Sequence, residues 1–398
     1  MPGAPLMDDS VLDDREALEL LDAGEMLRAV ATAGAQVREA LLHVDEELVA
    51  RVAADGRPRA VVITGMGGSG IAADVASAVA GRSCPVPVLA SRGHRLPGWV
   101  GGMDVVVAVS CSGETEETLS ALDEAIRRGA RVVTVGAPGS SLSARADDGR
   151  AVHLPVDARG RMPRANLWGL ATPVLLVLDA LGLAAVSRQQ LADLADQLDE
   201  TSERCGPGAE SSQNPAKQVA VQVAGSLPFV WGASDVAAVA ASRFGAQLAE
   251  NAKYPAVTGA LPEVHHNQVV VLAGRFGALA ESQEDIFRDP FEDPAVAPEL
   301  PRMRLLLLRD TEEVEQVGRR ADATVGLAER FDVAVDVLRA EGEHPVTRLA
   351  SLVAPLDFAS VYLALLQGID PSPIEPILAL KSGALDAGSP ASDREDRA

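Results

Sequence analysis

Aromatic side chains are scarce in this sequence and make up only 3% of its 398 residues. The core must therefore be built from smaller apolar side chains, and a hydrophobic content of 47% supplies enough of them. Apolar side chains of this kind fill parallel sheets that are covered by helices on both faces. Because the chain is too long for one ordinary hydrophobic core, we expect two domains.

Basic side chains are also in deficit, with 35 Lys and Arg against 57 Asp and Glu and a net charge of −22. This excess of negative charge disfavours nucleic acids and anionic membranes, and we expect neither as a partner. It would also repel an anionic small molecule. Any such ligand must therefore be held by local groups rather than by the overall field of the protein.

Cysteine is rare, and the three that occur are Cys84, Cys111 and Cys205. An odd number without paired spacing predicts free thiols in a reducing compartment. Most of the six histidines are scattered without ligand spacing, so we predict no metal site and no cofactor. The first residues lack a signal-peptide pattern and no long apolar run indicates a membrane span, which favours a cytoplasmic location.

Glycine is concentrated at one point, where the apolar segment Val61–Thr64 runs into Gly65–Gly70. The apolar segment is typical of a buried parallel strand. Glycines at the following turn let Gly67, Gly68 and Ser69 bring backbone N–H groups to an anion at the start of a helix. The stretch has neither the lysine of a P-loop nor the spacing of a dinucleotide-binding turn. Taken alone, a glycine-rich turn that binds nothing is the alternative.

A second apolar segment, Val105–Val109, is followed by three hydroxyl side chains, those of Ser110, Ser112 and Thr115. Hydroxyl groups can donate hydrogen bonds to phosphate oxygens without carrying charge. Capping of the next helix is the alternative interpretation, but a cap needs only one hydroxyl. Two neighbouring turns with glycine and hydroxyl chemistry therefore predict a pocket for a sugar phosphate.

These two turns, GMGGSG at 65–70 and SCSGETEET at 110–118, resemble the phosphosugar loops of sugar isomerase (SIS) domains. Two later motifs, ENAK at 250–253 and PEVHHN at 262–267, resemble the bifunctional phosphoglucose/phosphomannose isomerases. The resemblance extends over most of the chain, from residue 15 to 385. It implies an α/β fold with two flavodoxin- or Rossmann-like SIS domains. Each would be a parallel sheet flanked by helices, with extra helices at both ends of the chain.

The expected domain boundaries follow from a repeat of the strand, turn and helix pattern and from a Gly-, Ser- and Pro-rich stretch. We expect an N-terminal helical segment at 1–55, a first SIS domain at 56–205, a linker at 206–215, a second SIS domain with C-terminal helices at 216–385 and a disordered tail at 386–398. The second domain has fewer glycines at its first turn, so we assign the phosphosugar loops to the first domain. Strands of the second sheet are expected near Val269–Leu272, Arg304–Leu308 and Val333–Leu338, with an exposed insertion at Glu281–Leu300.

The resemblance also implies roles for four side chains. Glu250 would be the base that moves one proton through an enediol, and Arg164 would stabilise charge on the enediolate oxygen. His266 would assist ring opening from the other subunit of a homodimer, and Lys381 would assist the ring oxygen. A carboxylate and an imidazole suit these two proton transfers.

Some of these assignments leave alternatives. His265 competes with His266, and the following Asn267 favours His266 because the family motif places Asn after its histidine. Lys381 has only loosely matching neighbours, so a surface lysine is its alternative. Two residues depart from the family pattern: Gln268 replaces a Glu, and Glu114 replaces a common Asn in the phosphate loop.

The sequence therefore predicts a metal-independent aldose–ketose isomerase. It would interconvert glucose 6-phosphate, and mannose 6-phosphate as well, with fructose 6-phosphate through an enediol. A non-catalytic phosphosugar sensor on the same scaffold is the alternative, which the joint presence of Glu250, His266 and Arg164 disfavours. A third possibility is an amino-sugar isomerase, which usually carries an amide-hydrolysing domain with an N-terminal Cys nucleophile that this chain lacks.

Overall fold

A computed structural model describes residues 9–280 and 301–382. Within these residues the chain forms two parallel β-sheets flanked by helices, which confirms the predicted α/β fold. The predicted insertion at Glu281–Leu300 and the predicted tail at 386–398 lie outside the described residues.

The N-terminal helical segment consists of short helices. A 3-10 helix at Asp9–Asp13 precedes α1 (Arg15–Leu21), α2 (Met26–Ala31), α3 (Ala33–His43) and α4 (Glu46–Ala53). Two of these helices have N-caps: the side chains of Asp14 and Asp45 accept hydrogen bonds from the backbone N–H groups at the start of α1 and α4. The segment packs against the helices of the first sheet, because α3 contacts the helices at Leu167–Ala180 and Arg188–Cys205.

The first sheet has five strands in the order β2-β1-β3-β4-β5. They are β1 (Val61–Thr64), β2 (Val88–Ser91), β3 (Val105–Ser110), β4 (Arg131–Gly136) and β5 (Val152–Pro155). The accompanying helices are α5 (Gly67–Ala80), α6 (Glu116–Arg127), α7 (Ser141–Asp148), a 3-10 helix at Pro163–Ala165, α8 (Leu167–Ala180) and α9 (Arg188–Cys205). All residues of β1 and β3 are buried, as their continuous apolar runs predict. Because the strand order reverses between β1 and β3, a crevice opens at the carboxyl ends of these two strands.

The second sheet repeats this arrangement with four strands in the order β7-β6-β8-β9. The elements are α10 (Pro215–Val223), β6 (Leu227–Gly232), α11 (Asp235–Asn251), β7 (Val257–Ala260), β8 (Met303–Arg309), α12 (Glu315–Arg330), β9 (Ala334–Arg339), α13 (Pro345–Leu366) and α14 (Glu375–Ser382). The helix α11 follows the central strand β6 just as α5 follows β1.

The predicted strand at Val269–Leu272 is wrong. This segment lies in a 3-10 helix at Gln268–Ala273, and the strand that pairs with β6 at this edge of the second sheet is β7. Its apolar run misled the prediction because only one face of it is covered: Leu272 is fully buried, whereas Val270 is 72% exposed. A second 3-10 helix, Glu263–His266, connects β7 to this segment.

A single apolar core joins the two halves of the chain. It contains side chains of β1, β3, α5 and α8 together with side chains of α11 and α13. Helix α13 has 22 residues and is apolar enough to cross a membrane by length and composition. However, 89% of its apolar window is buried inside the protein, which is the environment of a core helix.

The crevice of the second sheet is occupied by one of the protein's own carboxylates. Asp310 follows β8, and its carboxylate accepts a hydrogen bond of 2.9 Å from the hydroxyl of Ser234 at the start of α11. Arg348 lies 2.8 Å from the same carboxylate, which is almost fully buried. The carboxyl ends of β6 and β8 are thus bridged by the protein's own ion pair of Asp310 and Arg348, at the place that corresponds to the predicted phosphate loops of the first sheet.

Candidate active site

A cleft of about 430 Å³ lies between α5 and α11, where the two halves of the chain meet. The two helices run antiparallel. Gly67 at the start of α5 and Glu250 at the end of α11 line the same cleft, whereas Arg82, just beyond α5, pairs with Asp235 at the start of α11. Gly68 and Arg164 also line the cleft, so that four of the predicted site residues border one space.

The glycine turn fits closely against the segment that carries Arg164. Gly67 has a φ of +52°, in the left-handed region that glycine adopts without strain. A Cβ atom at Gly68 would lie 2.8 Å from the backbone nitrogen of Arg164, closer than any side chain allows. The hydroxyl of Ser69 accepts a hydrogen bond of 3.0 Å from the backbone N–H of Cys111. This bond joins the two predicted phosphate loops.

The hydroxyl-rich loop holds its side chains by local hydrogen bonds. The hydroxyls of Ser110 and Thr115 lie 3.0 Å apart, and the Ser110 oxygen accepts from the backbone N–H of Gly113 at 3.1 Å. Ser112 is exposed at the tip of the loop. Thr115 is the N-cap residue of α6, yet its side chain makes no capping hydrogen bond. The capping interpretation therefore does not account for this hydroxyl.

Glu114 does not direct its carboxylate into this loop. Its two oxygens accept hydrogen bonds of 2.8 Å and 2.6 Å from the backbone N–H and the hydroxyl of Ser141 at the start of α7. These hydrogen bonds lower the pKa of Glu114. The departure from the common Asn thus places the negative charge at a helix N-terminus, where it is stabilised, rather than at the phosphate loop.

Arg164 is almost fully buried, with only 2% of its surface exposed. Its Nε donates to Asn251 Oδ1 at 2.7 Å, and its Nη2 donates to the carbonyls of Pro371 and Ser372 at 2.9 Å and 3.0 Å. Its remaining terminal nitrogen, Nη1, lies 3.8 Å from Glu250 Oε2. Burial lowers the pKa of Arg164, and the neighbouring Glu250 opposes this shift. The guanidinium is therefore fixed on two sides and presents its third side to Glu250.

Three side chains of the ENAK motif at 250–253 have different environments. Glu250 is 28% exposed and turns into the cleft. Asn251 is fully buried, where it accepts from Arg164 and donates to Ser360 at 2.9 Å. Lys253 donates to the backbone carbonyl of Glu250 at 3.0 Å and fastens the end of α11. The motif thus places a carboxylate and a guanidinium side by side.

Of the two adjacent histidines, only His265 is engaged within the described part of the chain. Its Nε2 lies 2.8 Å from the hydroxyl of Thr324, and burial lowers the pKa of His265. His266 is exposed at the end of its 3-10 helix and does not line the cleft. Gln268, the other departure from the family motif, accepts from Trp231 Nε1 at 2.8 Å, which ties it to the second sheet.

Lys381 is exposed on α14 and does not line the cleft. In residues 9–280 and 301–382 no group of three or more His, Cys, Asp and Glu side chains could hold a metal ion.

The sequence reasoning missed several side chains that line the cleft. Arg243 and Gln247 lie on α11 at four-residue spacing from each other, and Glu250 follows on the same face. This spacing was visible in the sequence and could have indicated one functional face of the helix. Arg92, which follows β2, and Asp74 of α5 also line the cleft, where they form an ion pair.

We expect Gly68→Ala to reduce kcat/KM about 10- to 100-fold, since a shift near 1 Å at a positioning segment has effects of this size. The added Cβ must displace the backbone of Pro163 and Arg164. Steady-state kinetics on the purified variant would measure the loss.

Gly34→Ala is a matched control, because its Cβ would clash with the carbonyl of Ala195 at 2.5 Å, and neither residue lines the cleft. Both variants should unfold at a lower temperature, but Gly34→Ala should retain its kcat. Equal kinetic losses in the two variants would contradict this view of Gly68.

Comparison with known proteins places these features in context. A family model described as the bacterial phospho-glucose isomerase C-terminal SIS domain matches residues 212–383. The bifunctional phosphoglucose/phosphomannose isomerase of Caldicellulosiruptor bescii is 31% identical over 323 residues, which cover 81% of this chain and 88% of that protein. The protein of the same name from Aquifex aeolicus is 31% identical over 326 residues, covering 81% and 89%. The crystal structure of a hypothetical protein from Thermus thermophilus shares the fold, with 16% identity, a TM-score of 0.67 and coverage of 96% and 95%.

Proposed function

This chain belongs to the family of bifunctional phosphoglucose/phosphomannose isomerases, and on that premise we propose that it interconverts glucose 6-phosphate and mannose 6-phosphate with fructose 6-phosphate. The observation that carries the proposal is the pairing of Glu250 with Arg164 at 3.8 Å in a cleft bordered by the glycine turn. The reaction moves one proton between neighbouring carbons, and this pair has the groups that such a step needs.

The phosphate of the substrate would bind to the two loops of the first sheet. Gly67, Gly68 and Ser69 begin α5, where backbone N–H groups and the helix dipole favour an anion. Ser110, Ser112 and Thr115 would add hydroxyl donors from the neighbouring loop. These local donors would have to hold the phosphate unaided by the overall field, because the net charge of −22 repels an anion at long range.

Glu250 would act as the base of the open-chain sugar. Its carboxylate takes the proton from C2 of the aldose, and the carbonyl oxygen at C1 becomes the enediolate oxygen. The proton of the O2 hydroxyl then moves to O1 as the carbonyl forms at C2, and the same carboxyl returns its proton to C1 of the ketose. Arg164 would stabilise the negative charge that develops on the enediolate oxygen, since a preorganised guanidinium requires no reorganisation during the reaction. Return of the proton to either face at C2 would yield glucose or mannose 6-phosphate.

Opening of the sugar ring needs a second group, which we assign to His266 of the other subunit in a homodimer. The exposure of His266, in contrast to the engaged His265, supports this assignment. Lys381 is proposed to assist the ring oxygen. A cytoplasmic location accords with three free cysteines and with a phosphorylated sugar as the substrate.

The direct experiment measures turnover of glucose, mannose and glucosamine 6-phosphates by the purified protein, with and without a chelator. We expect fructose 6-phosphate from glucose and mannose 6-phosphates at rates that the chelator does not change. Tight binding of fructose 6-phosphate without any turnover would instead favour a phosphosugar sensor. Loss of activity with the chelator would refute the metal-independent mechanism.

A further inference from the structure

A buried ion pair lies directly behind Arg164. Arg243 of α11 donates through Nε and Nη2 to both carboxylate oxygens of Asp357 on α13, at 2.8 Å and 2.7 Å. The two side chains are only 4% and 10% exposed. They are 114 positions apart in the sequence and meet only because α11 and α13 pack together.

This ion pair also holds the backbone of Arg164. Nη2 of Arg243 donates to the Arg164 carbonyl at 2.8 Å. Gln247, one turn further along α11, lies between the two groups: its amide donates to the same carbonyl at 3.4 Å and to Asp357 at 3.2 Å. Arg164 is thus held at its carbonyl from α11, and at its guanidinium by Asn251 of the same helix.

Stability alone does not account for such a pair. Removing two charges from water has a large free-energy cost, and well-packed apolar residues often replace a buried pair at no cost or with a gain. A planar guanidinium presents its donors in a rigid fork, so it can bind a carboxylate with two parallel bonds and hold a carbonyl in a fixed geometry, whereas an ammonium fixes no such geometry. The geometry of the pair therefore suits it to fix the position of a neighbouring group, here the backbone carbonyl of Arg164.

We propose that Arg243 and Asp357 are positioning residues that keep the guanidinium of Arg164 aimed at Glu250. This inference rests on the proposed isomerase function, because the oxygen that Arg164 stabilises exists only during the reaction. The phosphate loops are on other elements, β1–α5 and β3–α6, and Gly68 packs against the backbone nitrogen of Arg164 rather than the carbonyl that Arg243 holds. We therefore expect the ion pair to bear on the chemical step more than on substrate anchoring.

The test is the double variant Arg243→Met/Asp357→Leu, which replaces the ion pair with apolar side chains and leaves no unpaired charge. We expect cooperative unfolding near the wild-type temperature. We also expect kcat to fall about 100-fold, the effect of a misplacement near 1 Å, with Kd for fructose 6-phosphate changed by less than about threefold. A merely structural pair would not separate kcat from Kd in this way.

The chain offers a matched control in Arg304 and Asp336, which form the same two-pronged pair between β8 and β9 at 2.6 Å and 3.2 Å. Arg304→Met/Asp336→Leu should retain its kcat. If Arg243→Met/Asp357→Leu does not fold, Arg243→Lys gives the same readout, because its ammonium keeps the charge beside Asp357 without the planar fork that fixes both Asp357 and the Arg164 carbonyl.

The outcomes separate the inference from the function on which it rests. Wild-type protein without isomerase activity refutes the proposed function and this inference with it. Active wild-type protein together with a folded Arg243→Met/Asp357→Leu variant of unchanged kcat overturns the inference alone. An equal loss of kcat in the Arg304→Met/Asp336→Leu control also overturns it, because the effect would not be specific to Arg164.

Discussion

Replacing Glu250 with Gln should reduce the isomerisation rate about 10²- to 10⁴-fold, the usual contribution of a positioned base. Glutamine has nearly the same shape but cannot accept the proton from C2. The phosphate loops lie on other elements, so binding of fructose 6-phosphate should persist with little change in Kd. Exchange of the C2 hydrogen with solvent deuterium, followed by NMR, measures the proton transfer itself, and calorimetry measures the binding.

Asp235→Asn is a suitable control for this experiment. Asp235 begins the same helix that Glu250 ends, and it forms a largely exposed ion pair with Arg82. Such pairs contribute little to stability, about 0–1 kcal/mol. The control should therefore behave as the wild type. Turnover retained by Glu250→Gln would remove Glu250 from the mechanism.

Replacing His266 with Ala should also reduce turnover about 10²- to 10⁴-fold, since the ring must open before C2 is accessible to a base. Within one chain His266 does not line the cleft that holds Glu250. Because an open-chain substrate needs no ring opening, the loss should be smaller when the substrate is supplied in that form. Comparing rates on the cyclic and open-chain forms of the substrate would test the step that His266 serves.

Mixing the two inactive variants provides a further test of the shared site. A hybrid dimer of Glu250→Gln and His266→Ala contains one site with both substitutions and one site with neither. Random exchange makes half of the dimers hybrid, so about a quarter of the wild-type activity should return. No recovery after verified subunit exchange would show that His266 does not act across an interface. His265→Ala should stay active, because His265 is occupied by Thr324.

The fold could be predicted from the sequence to the extent that local signals agree with long-range packing. Continuous apolar runs correctly indicated β1 and β3, because both strands are buried on two faces. The same reasoning failed at Val269–Leu272, where the run is covered on one side only. The strand β7, which forms that edge of the sheet, has only half-buried residues and includes a glycine, so its sequence has no comparable apolar run.

The site was predictable where a motif carried it. The motifs containing Arg164 and Glu250 lie far apart in the sequence, and the structure brings the two side chains together. Arg243 and Asp357 could not be paired from the sequence, because nothing local links a residue of α11 to one of α13. The catalytic roles of Glu250 and Arg164 stay predictions, as do those of His266 and Lys381, which do not line the cleft.

The carboxylate of Asp310 in the second crevice has a consequence for the chain as a whole. A fold that occurs twice would ordinarily offer two equivalent places for a phosphate at the strand ends. In the second sheet this place holds the carboxylate of Asp310, which is bonded to Ser234 and paired with Arg348. Helix α11 begins beside this ion pair, and Glu250 lies near its other end, where it lines the cleft. On the proposed mechanism the two halves would therefore differ in role: the first would bind the phosphate of the substrate, and the second would supply the carboxylate that reacts with the sugar.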